Sequence, residues 1–164
     1  MPSPLRPHAW LIVAVTTLGC GSSRDRTQAE LEPVPDTPAS LAVEVGTGVD
    51  EFAALANGEP VDLTYGPQGG FHIWTAVRML DATVLQVQIN ISTRFEVSGA
   101  PAGSASRWPA EPVLREGARV HVGMRNFVAQ ASEVAGKRIV VRAEVIAGDG
   151  RHGAGERVVV PRFK

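Results

Sequence analysis

The side chains able to do chemistry are few and scattered. His72, His121, His152 and Met124 are the soft or imidazole donors that would suit copper or zinc, and Cys20 is the one thiol in 164 residues. A metal site would draw on His72 and His121, provided the strands carrying them lie side by side with both rings on outer faces. Alternation speaks against a fuller set. With Val120 and Val122 in the core, Met124 is core too and His121 points the other way, so one strand cannot offer both to one ion. His152 falls in a hairpin loop. Nucleophilic catalysis has still less to work with. No G-x-S-x-G elbow occurs, and the Asp50-Glu51 pair sits where a helix start would use the charge. No residue is assigned a catalytic role, no cofactor and no metal ligand is assigned, and the chain is read as a non-enzyme.

The most distinctive stretch is Tyr65-Gly66-Pro67-Gln68-Gly69-Gly70-Phe71-His72-Ile73-Trp74. Gly-Pro followed by Gly-Gly makes a tight turn almost free of side chains. It precedes a strand, whereas phosphate-cradling glycine loops precede helices, so a nucleotide site is not implied. Two readings stay open. The segment is a structural turn, or Gln68, Gly69, Gly70, His72 and Trp74 form a recognition loop. The segment resembles one with the pattern GPQGG-x-H-x-W in uncharacterised bacterial predicted lipoproteins, a resemblance that implies cellular context and no activity.

The start of the chain has a design of its own. Arg6 and the terminal amine precede an apolar run, Ala9–Leu18, that is too short for the roughly 18 residues of a membrane span and right for a secretory signal. Thr17-Leu18-Gly19-Cys20 then resembles the lipobox of bacterial lipoproteins, with Thr17 where leucine is usual. The resemblance implies cleavage between Gly19 and Cys20, diacylglyceryl transfer to the Cys20 sulfur and acylation (palmitate) of the new amino terminus. Gly21, in place of the aspartate that retains lipoproteins at the inner membrane, implies outer-membrane delivery in a Gram-negative host, on the periplasmic side or the cell surface. The competing readings are an ordinary cleaved signal with an incidental cysteine and an uncleaved anchor.

These residues need elements to hold them, and the chain divides into three parts. Residues 1–19 are the signal peptide. Residues 20–40, with Pro33, Pro35 and Pro38 and little apolar content, read as the acylated cysteine and a flexible tether. Residues 41–164 turn to period two. Leu85, Val87, Ile89 and Ile91 alternate with polar partners in Val84–Ser92, and the same pattern marks Phe71–Leu80, Arg119–Val128 and Arg138–Ala147. Leu41–Val45, Val61–Tyr65, Arg94–Val97 and Arg157–Phe163 are shorter strand candidates, with Pro161 confining the last to an edge. Val49–Asn57 is the best helix candidate, and Ser132–Gly136 could form one turn. Gly148–Gly153 reads as a hairpin connection.

About seven or eight strands punctuated by Gly and Pro predict an all-β, antiparallel sandwich. The final strand, Asp-Gly loop and strand resemble the last hairpin of immunoglobulin-like and fibronectin type III modules.

Charge limits the partners. The formal net charge of −1 excludes the basic surplus of a usual nucleic-acid binder. Residues 78–164 nevertheless carry +5 against −7 in residues 20–62, and Arg78, Arg119, Arg125 and Arg142 could form a basic sheet face for an anionic envelope polymer or protein. The leading expectation is a lipid-anchored envelope protein whose β-sandwich binds or scaffolds. A copper or zinc protein using surface histidines is the alternative. An assembly subunit pairing through an exposed Arg157–Phe163 edge is a third.

Overall fold

Alternation of apolar and polar residues builds nearly every element. A computed structural model describes residues 40–67 and 69–164. The signal peptide with Gly19, the tether from Cys20 to residue 39, and Gln68 lie outside the described residues. In chain order the elements are β1 (Val43–Thr47), β2 (Ala53–Ala54), β3 (Glu59–Tyr65), β4 (Phe71–Met79), β5 (Val87–Phe95), β6 (Ser106–Ala110), β7 (Val113–Arg115), β8 (Ala118–Phe127), α1 (Ala131–Val134), β9 (Ile139–Ala147) and β10 (His152–Phe163). The chain is all-β, with α1 as a single turn where one was expected.

The strands form one curled sheet in the order β2-β1-β4-β3-β10-β9-β5-β6, with β8 on the other side of β4 and β7 beyond it. β3 belongs to both halves. Glu59–Leu63 run parallel to Val159–Phe163 of β10, and Thr64 and Tyr65 then pair antiparallel with His72 and Phe71 of β4. That one parallel pairing makes the sheet mixed. Between the halves lies a core of alternating residues: Val87, Ile89 and Ile91 of β5, Ile139, Val141, Ala143 and Val145 of β9, and Ile73, Val77 and Met79 of β4 with Met124 of β8. β1 crosses close over β10, where a Cβ on Gly153 would stand 2.0 Å from the Leu41 carbonyl oxygen and one on Gly155 2.5 Å from that of Val43. Only glycine permits that approach.

Several expectations need correction. Val49–Asn57 is not helical. Nine residues nucleate a helix poorly, and here Ala53 and Ala54 pair with Thr47 and Gly46 while the Phe52 ring lies under the Arg78 guanidinium at 4.7 Å. Leu85 is exposed while Val84 is buried, because the strand begins only at Val87. Arg94 continues β5 instead of opening a new strand.

β10 is not an edge. It pairs with β9 through Val159 and with β3 through Phe163. The Pro161 carbonyl accepts from the Gly136 N–H at 2.7 Å, so the side of Pro161 that lacks a donor faces the α1–β9 connection. The β3 ladder therefore loses nothing.

The most instructive correction is in β8. From Thr75 to Val77 β4 advances two residues, while β8 moves three, from Met124 to His121. This β-bulge, with Gly123 at φ 71°, reverses the phase of the strand. His121 therefore stands opposite buried Val77, on the same side as Met124, and Val120 and Val122 face the other way.

Candidate aromatic site at the β3–β4 turn

The GPQGG segment joins β3 to β4 as a closed turn. The Gly66 N–H donates to the Gly70 carbonyl at 3.0 Å, and the Gly69 N–H donates to the Gly66 carbonyl at 3.0 Å. Gly69 and Gly70 have φ of 85° and 84°, in the left-handed region. Nothing crowds the Cβ position of Gly70, so backbone conformation, not space, calls for glycine there.

The turn sets rings side by side. Tyr65 meets Phe71 edge-on with centroids 5.3 Å apart, and Phe71 meets Phe163 at 5.5 Å. Because neighbours on a strand point to opposite sides, His72 begins a second group. Its ring is 4.8 Å from that of Trp74 and 5.7 Å from that of Phe127, and the Arg125 guanidinium lies 5.7 Å from the Trp74 centroid. Tyr65, Phe127 and Phe163 are exposed. β3, β8 and β10 all terminate here and β4 begins, so one end of the domain carries an aromatic array on both sides of β4.

His72 does not face solvent as alternation suggested. It is 2% exposed, covered by the Trp74 and Phe127 rings and by the turn, where a Cβ on Gly66 would come within 3.6 Å of its Nδ1. Neither ring nitrogen has a hydrogen-bond partner among the described residues. Burial, and after it the nearby Arg125 charge, pushes the imidazole pKa below its ordinary value, so the ring is neutral.

The structure does not bring His72 and His121 together. His72 is opposite Phe127 and His121 opposite Val77. Five residues along β4 separate the two rows, about 17 Å at roughly 3.3 Å per residue. His121 is partly buried, which lowers its pKa too. His152 is exposed at the far end, where β10 starts. Among the described residues no group of three or more His, Cys, Asp or Glu is placed to hold a metal ion.

Nor do the four arginines make one basic face. Arg78 Nε donates to Glu44 at 2.6 Å, and Arg119 is spent on the Ala82 and Pro112 carbonyls. Arg125 lies over Trp74. Arg142, on β9, binds Glu144 at 2.8 Å and Glu156 at 2.9 Å.

No protein-family model and no curated protein matches the chain. Among solved structures, the CooA pilin subunit from enterotoxigenic Escherichia coli is similar at 15% identity. That match covers 74% of this chain and 98% of the pilin, with a TM-score of 0.33.

Of the residues singled out in the sequence, Gly69, Gly70, His72 and Trp74 do gather at one place, with His72 beneath the surface. Tyr65 and Phe71 flank the turn in the same motif, Arg125 had been named only for a basic face, and Phe127 and Phe163 complete the array without having been singled out. Their signal was positional: each aromatic stands at the first or last residue of a strand, and those strand ends converge.

Proposed function

We propose that this chain is a lipid-anchored cell-envelope protein whose β-domain binds or scaffolds an envelope protein or polymer and carries out no chemistry of its own. The observation that carries the binding reading is the exposed aromatic array of Tyr65, Phe127 and Phe163 around Phe71 and Trp74. Aromatic side chains offer large contact area at small entropic cost, and exposed groups of them mark interaction sites. The lipobox-like Thr17–Cys20 supports anchoring through Cys20.

The two parts have separate tests. Cys20→Ala should abolish fatty-acid labelling and membrane retention in cells, and unchanged labelling would refute the anchor. A photo-crosslinking residue at Tyr65 or Phe163 in the full chain should trap one discrete envelope component, and Tyr65→Ala with Phe163→Ala should release it while the far-ultraviolet spectrum is unchanged. Equal trapping from an exposed site elsewhere, such as Arg107, would remove the aromatic end from the function.

A further inference from the structure

The chain enters the domain at the end opposite the aromatic array. Ser40 bridges His152 at the start of β10, Leu41 N–H donates to the His152 carbonyl at 2.8 Å, and Leu80 N–H donates to the Ala42 carbonyl at 3.0 Å. β4 runs from the aromatic end to this one, and its nine residues span about 30 Å at roughly 3.3 Å each.

Besides Ile146 at 47%, opposite His152, four large aliphatic side chains stand in solvent at this end: Leu80 at 52% exposure, Leu85 at 63%, Val113 at 54% and Leu114 at 48%. The four belong to the β4–β5 loop and to β7, which are tied together. Arg119 donates from Nε to the Ala82 carbonyl at 2.8 Å and from a terminal nitrogen to that of Pro112 at 3.2 Å, and Gln86 donates to Glu111 at 3.3 Å. Among the described residues β7 is an outer strand paired with β8 alone, and its two exposed aliphatics project from opposite faces of that edge. Asp81 and Asp149 both bind Arg151, and Arg115 and Glu116 stand exposed at the β7–β8 turn as one charge of each sign.

We propose that this end rests on the bilayer, with Leu80, Leu85, Val113 and Leu114 seated in the headgroup layer. The inference rests on the lipid-anchor reading, because the tether leading from Cys20 meets the domain beside Leu80. A tether holds the domain at high effective concentration near the surface, so a shallow apolar contact suffices to orient it. The aromatic array then points away from the membrane, about 30 Å out.

The single native cysteine makes the test clean, since acylation occupies it. Full-length lipidated protein carrying Leu114→Cys, Leu85→Cys or Phe163→Cys is labelled with an environment-sensitive fluorophore and reconstituted in phosphatidylethanolamine–phosphatidylglycerol vesicles, 3:1 by design. Spin-labelled lipid should quench the probes at 114 and 85 at least about threefold more than the one at 163, and 0.5 M salt should leave that ratio unchanged because the contact is apolar. Probes at 114 and 85 that stay water-exposed on protein still bound to vesicles overturn the docking and leave the anchor standing. So does burial of those probes by a second protein only. Wild-type chain recovered from membranes without fatty acid on Cys20 overturns the anchor reading, and the docking proposal falls with it.

Discussion

Replacing His72 with leucine should stabilise the domain, contrary to the usual result of altering a fully buried residue. The imidazole keeps two nitrogens from water without giving either a partner among the described residues. Leaving a buried polar group unsatisfied costs about 1–3 kcal/mol, and leucine restores apolar contact with Trp74 and Phe127. The expected gain at pH 7.5 is about 1–2 kcal/mol. The gain should grow in acid. Burial, then Arg125, lowers the folded-state pKa of His72. Below roughly pH 6.5 the unfolded chain takes a proton that the folded chain refuses. Stability therefore falls with falling pH, by about 1.4 kcal/mol per unit for each such histidine, until the folded pKa is reached. His121 is shifted in the same direction by burial, so His72→Leu should make the fall of stability with acid shallower without abolishing it. Urea denaturation followed by far-ultraviolet circular dichroism at pH 7.5, 6.0 and 5.0 reads both quantities. A loss of stability above about 1 kcal/mol at pH 7.5, or an unchanged pH slope, refutes the reasoning and means the ring has a polar partner.

Three further outcomes are expected. Gly69→Val and Gly70→Val should each lower the stability of the domain by about 1–3 kcal/mol in denaturant titrations, since both positions need positive φ. Gly153→Ala should cost more, about 3 kcal/mol or above, because its Cβ would meet the Leu41 carbonyl and force β1 away from β10. Arg151→Ala should lower Tm at pH 7. Thr83, then Arg151, holds the Asp81 carboxyl below its ordinary pKa, and Arg151 does the same for Asp149. That contribution exists above the unfolded carboxylate pKa near 4 and is lost as pH falls through the folded value, so the Tm gap should narrow as pH is lowered below about 4.

The long strands were readable because one face meets a dry core and the other meets water. β5 and β9 follow their alternation almost residue for residue. What alternation could not reveal is a change of phase. The extra residue near Gly123 put Val120 and Val122 on the face opposite Met124 and His121 on the same face as Met124, and nothing local distinguishes that glycine from a turn glycine. β6 was missed because Ser-Arg-Trp-Pro-Ala has no period and owes its extension to pairing with β5. Pro161 misled for a related reason: proline removes a donor on one side only, and the side it faces is set by neighbours distant in sequence. For the aromatic site, the turn residues were visible as a motif. The rings from β8 and β10 were not, because topology alone brings Phe127 and Phe163 to it.

The double membership of β3 also bears on the order of events during synthesis. Its first half pairs with the last strand, and Asp62 meets Arg162 a hundred positions later. The parallel pairing that joins the two halves through β3 thus forms only after residues 159–163 have arrived. Long-range strand pairing of this kind is slow, since the loop must close before the contacts reward it. A nascent or truncated chain lacking those residues would expose the edge of β3, while β9 keeps its pairing with residues 152–158, a form open to proteases and to aggregation. The domain is in this sense assembled from its end backwards, and the final strand controls when it becomes a folded protein.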